Sequence, residues 1–456
     1  MPPLFSSTIN STDLLQVALN TAAAELSLAF NASVYFGVAG VGLPQAIVAA
    51  NGAYRNRSLP ASAETNRARL DDLIPGGSVA KVTTATQCLQ LAEAGKLDLD
   101  KPVVDYIDPW LAQLGVAKVG QPFPKLTTWW GQSPLYVNRM TTRQLLSMRG
   151  GIGDYDDGSI AGWTFSQTTA RGRDFEPLDY IVWGQRNKSF LWPPGHGGAY
   201  SGTGYVLLGF VLASVTGATD WDGLDQTAIF DDLPAAEAAW YKQEMRFMGR
   251  GPCSQYGERV IPQYANMQAA APPQEPPAVG DFVDLLSTQS CLNGWTMGNI
   301  LTSTAGFAQF YADLHATPSK LLSEASLKQM LTFQPLSIGE NPPAGTPYGL
   351  GAMKLSFDLS ADKSRGNLTY VGHGGEDWGS GFPLANWVVE LNASLIIAFN
   401  NGAVPMGMNT SLTRQQNALL TFAASCRGVD ALYVFRGHPG LDCSHYGASP
   451  RRGVMA

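Results

Sequence analysis

No stretch of about 18 uncharged apolar residues occurs in the 456-residue chain, so a membrane-spanning helix is not expected. The longest candidate, 205–215, is too short. The opening residues Met1-Pro2-Pro3-Leu4-Phe5-Ser6 carry neither a basic nor an apolar segment, and no secretion signal is visible. Charge is scarce at 15% of residues, the net charge is −7, and no Lys/Arg run exists, which leaves a nucleic-acid or polyphosphate partner without support. There is no P-loop, no Gly-x-Ser-x-Gly elbow and no His-Glu-x-x-His. The five histidines show no metal-ligand spacing, so neither a metal nor a cofactor is expected.

What is present is apolar material, 45% of the residues, enough for a large core. Seven Asn-x-Ser/Thr sequons, at Asn10, Asn31, Asn56, Asn187, Asn367, Asn392 and Asn409, point to a secretory-pathway protein. Five cysteines are compatible with that. Cys253 with Cys291, and Cys426 with Cys443, are the candidate disulfides, although spacing alone does not fix connectivity. Cys88 lies in an apolar helical pattern and reads as a buried free thiol.

Apolar spacing predicts a helix over 12–29, strands over 33–41 and 46–53, and a helix over 78–94 closed by Gly95. Five prolines make 98–140 read as irregular. A short helix follows at 141–148 with Thr141 or Thr142 as its cap. An apolar helix is expected over 204–216, a loop-like insertion over 220–290, and a helix over 303–314. Strands are expected at 368–375 and 387–400, joined by a hairpin carrying Gly379, Gly381 and Pro383. The order suggests an α/β (α+β) fold, an antiparallel sheet built from both chain ends with an inserted, mainly helical lobe.

Ser78-Val79-Ala80-Lys81 opens the second helix. Residues three apart share a helical face, so the Lys81 amine can reach the Ser78 hydroxyl. A serine hydroxyl is a weak nucleophile until a neighbour takes its proton. Its own N–H, free at a helix start, can face a developing oxyanion. A second Ser-x-x-Lys, Ser360 with Lys363, sits in a polar run and reads as a solvated loop. His196 reads as a loop histidine, Trp129-Trp130 as core packing, and Tyr200 and His373 have bland alternatives as packing residues.

Several motifs in order carry a resemblance: Gly77-Ser78-Val79-Ala80-Lys81, Thr141-Thr142-Arg143-Gln144-Leu145-Leu146-Ser147, Tyr200-Ser201-Gly202-Thr203-Gly204-Tyr205, Tyr348-Gly349-Leu350-Gly351 and His373-Gly374-Gly375. Over residues 13 to 424 the chain resembles the serine β-lactamase-related family, closest to class C β-lactamases, D-alanyl-peptidases and related esterases. The resemblance implies a β-lactamase/transpeptidase-like domain over 1–425. Its sheet lobe would span about 13–75 and 345–424, and its helical lobe about 82–344, with the 220–290 insertion inside it. An irregular tail would follow over 426–456.

By position, the resemblance makes Ser78 the nucleophile, Lys81 its partner and Tyr200 the general base. His373 would line the site, the Glu376 N–H would be the second oxyanion donor, and Gly374 and Gly375 would admit a substrate backbone. The family's second motif is usually Tyr-x-Asn, and Gly202 stands at the Asn place. His373 replaces the lysine common in true β-lactamases, which gives a weaker positive field for a substrate carboxylate. The expectation is acyl-transfer hydrolysis of a small-molecule or peptide ester or amide. A catalytically silent binding protein and a true β-lactamase are the alternatives. Oligomeric state is not legible.

Overall fold

The computed structural model describes residues 11–30, 32–53, 63–131, 133–155, 176–187, 190–261, 264–266, 282–284, 294–339, 342–360, 363–377, 380–400 and 411–446. The chain opens with helix α1 (Ser11–Phe30), then strands β1 (Ser33–Gly40) and β2 (Ile47–Asn51). After the helical lobe it returns as β3 (Gln334–Pro335), β4 (Pro347–Tyr348), β5 (Met353–Phe357), β6 (Leu368–Asp377), β7 (Ser380–Val388) and β8 (Ala393–Asn400). These eight strands form one antiparallel sheet in the order β2-β1-β8-β7-β6-β5-β4-β3. The expected α/β architecture with a sheet drawn from both chain ends is what the molecule has. Strand β1 pairs with β8 from Ser33 opposite Asn400 to Gly40 opposite Ala393, so the seam between the two chain ends lies inside the sheet.

The sheet has a core on each face. Seven of the eight residues of β1 are buried, yet the alternation of a strand still sorts them. Tyr35 and Ala39 enter one core while Val34, Phe36 and Val38 enter the other. The second core is closed by α1 and by the C-terminal helix α6 (Ser411–Phe435). The first joins the sheet to the helical lobe: α2 (Ala80–Glu93), α3 (Val104–Val119), α4 (Gly202–Thr216) and α5 (Thr304–His315). Helix α4 is apolar on every side, and twelve of its residues are buried.

Four expectations change. The prolines of 98–140 do not prevent α3, which holds Pro109 within it and ends on Gly120 at φ 75°. Strand β7 begins at Ser380, so Gly381 and Pro383 lie in a strand and not in a turn, Gly379 lies outside the described residues, and the strand expected over 387–400 is interrupted by the turn 389–392 before β8. The 220–290 stretch contains helix Ala235–Glu244 and strand Met245–Phe247, which pairs with Ile300–Thr302. The Pro-rich run 270–277 lies outside the described residues. The tail expected to be irregular from 426 is helical to Phe435, because Leu420, Ala424, Val429 and Leu432 bury one face of α6 on the sheet.

Within α6, Ala418–Phe435 is long and apolar enough to cross a membrane by length and composition, although it contains Arg427 and Asp430. Half of that window is buried inside the protein, as a core helix requires. Cys426 and Cys443 form a disulfide, as expected, and Cys88 is a buried free thiol. Cys291 lies outside the described residues.

Candidate active site

The site is assembled where the two lobes meet, from the start of α2, the start of α4, strand β6 and the turn 294–299. A short pairing of Ile74–Pro75 with Leu301–Thr302 delivers Gly76, whose N–H donates to the Ile300 carbonyl at 2.8 Å. One turn of 3₁₀ helix, Gly77–Val79, then carries Ser78 into α2. Lys81 follows three residues later on the same face, 1% exposed.

Tyr200 is the residue before the cap of α4. The Ser201 hydroxyl accepts from the Gly204 N–H at 3.1 Å and donates to the Gly153 carbonyl at 3.0 Å, which fixes the entry of the chain into the helix. Opposite, the turn Trp295–Met297 is clamped between α2 and α4. The Thr84 hydroxyl donates to the Thr296 carbonyl at 2.6 Å, and the Thr296 hydroxyl donates to the Tyr205 carbonyl at 2.8 Å. Trp295 takes φ 37°, a left-handed conformation of the kind that costs about 1–3 kcal/mol and gathers at functional sites. Its ring packs 5.5 Å from Phe210 of α4.

Two proton-bearing groups converge on one hydroxyl. Lys81 Nζ lies 2.9 Å from Ser78 Oγ, and the Tyr200 phenol donates to the same oxygen at 2.8 Å. Lys81 Nζ also donates to the Met297 carbonyl at 2.9 Å and sits 5.0 Å from the centre of the Tyr200 ring. Burial lowers the Lys81 amine to about 7, against an opposing pull from the Asp154 carboxylate. The Tyr200 phenol is pushed up, chiefly by desolvation, against the lowering effect of its bond to Ser78. The resemblance makes the tyrosine the base; of the two groups, it is the lysine that burial brings near neutrality.

His373 is 2% exposed, on β6. Its Nδ1 is paired with the Gly374 carbonyl, so that nitrogen carries the proton, and Nε2 accepts from the Tyr348 hydroxyl at 3.1 Å. Burial, and then the Lys81 charge, pull the imidazole down to about 3, so it is neutral at working pH. Gly375 is where β6 meets the nucleophile turn. A Cβ there would lie 2.1 Å from the Gly76 carbonyl oxygen and 2.9 Å from the Ser78 nitrogen, so only glycine permits this approach. A register shift in β6 falls between His373 and Gly375, opposite β7, a common device for re-aiming a strand beside a site. The backbone of Glu376 continues β6 opposite Gly381.

Ser360 and Lys363 are brought together but not as a second site. Ser360 is buried rather than solvated, because its hydroxyl donates to Asp358 at 2.6 Å and closes the turn, while Lys363 Nζ donates to the Asp358 carbonyl. His196 is exposed, and Trp129 and Trp130 pack in the core.

Residues that sequence reasoning missed are Asp154, Met297 and Tyr348. Tyr348 belongs to a motif singled out above, but nothing in the motif said that its hydroxyl meets His373. Met297 acts through its carbonyl, which has no sequence signature. Asp154 is one of three neighbouring aspartates, with Asp156 and Asp157, and no local pattern separates it from them.

A two-lobed fold with an antiparallel sheet, and an amine and a phenol meeting on a helix-start serine, define the class: a serine hydrolase of the β-lactamase type. The chain belongs to the beta-lactamase family, whose model, Beta-lactamase, matches residues 37–418. Among curated proteins it is 30% identical over 180 residues to Penicillin-binding protein 4 of Amycolatopsis lactamdurans, a match covering 39% of each protein. Less than half the length of that relative is therefore spanned.

Among solved structures it is similar to the D-amino acid amidase of Ochrobactrum anthropi SV3 complexed with L-phenylalanine amide. That pair is 19% identical over 93% of this chain and 99% of that one, with a TM-score of 0.64. It is also similar to a D-stereospecific amidohydrolase from Streptomyces sp., 22% identical over 85% and 93% of the two chains, with a TM-score of 0.57. These two likenesses establish the fold.

Proposed function

We propose that the chain hydrolyses an ester or amide of the amino-acid or peptide type through an acyl-enzyme on Ser78. The observation that carries this reading is the pair of contacts on Ser78 Oγ, 2.9 Å from Lys81 Nζ and 2.8 Å from the Tyr200 oxygen. Neutral Lys81 accepts the Ser78 proton as Oγ attacks the carbonyl carbon. The Ser78 and Glu376 N–H groups receive the charge that develops on the carbonyl oxygen. Tyr200 passes the proton from Lys81 to the leaving amine or alcohol as the C–N or C–O bond breaks. A water then adds to the ester carbon, gives a proton back along the same route, and releases the acid with Ser78 restored.

The neutral state of His373 supports a substrate without a carboxylate at that wall, and so an ester or amide ahead of a penicillin-like compound. The names of the similar amidases point the same way. The Cys426–Cys443 disulfide, with exposed sequon residues Asn367 and Asn392, supports a secretory route.

The test is labelling with a fluorophosphonate probe followed by peptide mass mapping. Wild type is expected to carry the adduct on Ser78, and Ser78→Ala to carry none. Equal labelling of the two proteins overturns the assignment. Because neutral Lys81 is the acceptor, the labelling rate is expected to rise with pH around an inflection near about 7. A rate that falls through that region would place the working proton on Lys81 instead.

A further inference from the structure

The amide that normally follows the tyrosine by two residues is missing, and its place is filled from elsewhere. Gly202 is the first residue of α4. A Cβ built on it would lie 2.6 Å from Met297 Sδ and 3.2 Å from both Asp154 Oδ1 and the Tyr155 ring, so those three side chains fill the space, and Asp154 brings the charge. Asp154 Oδ1 accepts from the Gly202 N–H at 3.0 Å and from the Thr203 N–H at 3.4 Å. Met297 gives its carbonyl to Lys81 Nζ. Asp154 is thus held at the start of the helix that presents Tyr200, beside the residue whose backbone orients Lys81.

We propose that Asp154 is a positioning residue for the Ser78 reaction: its carboxylate occupies the place left open by Gly202 and acts through the Lys81 amine and the Tyr200 phenol. The inference rests on the acyl-enzyme reading above. A carboxylate in this place differs from an amide in one respect that matters. It favours the protonated form of both groups, and so makes each a stronger base when it does lose its proton. Its pull opposes the burial that lowers Lys81, and it adds to the rise of Tyr200. Among the described residues, the other ionisable groups facing Lys81 are Tyr200 and Tyr205, with ring centres 5.0 and 5.5 Å from Nζ, and His373, held neutral.

The experiment compares wild type, Asp154→Asn and Asp154→Ala in fluorophosphonate labelling of Ser78 across pH. Asn keeps an oxygen for the Gly202 and Thr203 N–H groups but has no charge. If Asp154 acts as inferred, the Asn variant melts close to wild type at alkaline pH, where Lys81 is neutral in both proteins, and falls behind it as pH drops below about 7. Its rising limb moves down by about one pH unit, and its plateau rate falls several-fold. Asp154→Ala loses the acceptor as well, and is expected to be slower and less stable. Superimposable profiles for wild type and Asp154→Asn would reduce Asp154 to a helix cap and overturn the inference.

Carbon-13 NMR of the lysine ε-carbon, with Lys81 assigned from Lys81→Met, separates the two claims without turnover. A lower Lys81 pKa in Asp154→Asn supports the hold of Asp154 on Lys81; absence of labelling at Ser78 in wild type sinks the acyl-enzyme reading, and with it any part for Asp154 in that reaction, but not the hold itself. An unchanged Lys81 pKa overturns the inference whatever the labelling shows.

Discussion

Lys81 is a charged residue type placed where charge is expensive, and that fixes how its contribution to stability depends on pH. Its amine titrates at about 7 in the folded protein against an ordinary 10.5. Between those values the unfolded chain binds more protons than the folded one, so stability rises with pH across the interval. The slope is on the order of 1.4 kcal/mol per pH unit. Lys81→Met removes the titration while keeping the stem that packs in the helix face. The variant is therefore expected to gain on wild type as pH is lowered from 10 to 7, with the difference levelling off below about 7. Thermal melts of both proteins at a series of pH values check this, and a constant difference across the series would refute the burial argument. The contact of Ser78 with Lys81 was legible because three residues along a helix is a short-range geometric fact, but it was the apolar helical context, not the spacing, that set this pair apart from Ser360 and Lys363. The Asp154 contact was not, since it depends on how a loop after 148 folds back onto α4.

At the scale of elements, the site depends on β6 pressing against the turn before α2. Gly375→Ala places a methyl carbon 2.1 Å from the Gly76 carbonyl oxygen, a backbone atom with no flexible end to yield. The strand or the turn must shift, at a cost of about 1–3 kcal/mol. The Ser78 N–H, proposed above as an oxyanion donor, is displaced in the process. Losing one oxyanion donor slows catalysis by roughly 10²–10³-fold. The variant is expected to fold with a lowered melting temperature and to lose Ser78 labelling out of proportion to that loss. Full labelling would show that the approach of β6 is packing alone.

The long periodic helices α1, α2 and α4 were legible, because a run of apolar residues at helical spacing has few other uses. Helix α3 was not, since a proline inside an apolar run reads as a breaker, although the burial of Ile107, Trp110, Leu111 and Leu114 outweighs the cost of Pro109. Strand β7 was hidden for a similar reason. Its glycines and proline look like turn residues, but β7 bends there opposite the register shift of β6, and Gly381 and Pro383 fit that irregularity.

At the scale of the whole molecule, the sheet closes only when the last third of the chain returns to the first 50 residues. Strands β1 and β8 pair from Ser33 with Asn400 to Gly40 with Ala393. Such pairing makes folding slow, because the loop-closure entropy is spent before the contacts form. It also makes the C-terminal helix the lid of the second core, with α6 and α1 covering the sheet face away from Ser78. The disulfide from Cys426 on α6 to Cys443 fastens the chain beyond that lid to the helix across 17 residues. A crosslink closing a loop of that length stabilises by about 3 kcal/mol through the unfolded chain. Cys443→Ser is therefore expected to melt earlier than wild type under oxidising conditions and identically to it under reducing ones. Ser78 lies on the side of the other core, so its labelling rate well below the melt should be the same in both proteins. A variant that melts with wild type in the absence of reductant, or that labels more slowly at low temperature, would mean that the two faces of the sheet are not energetically separate as this topology requires.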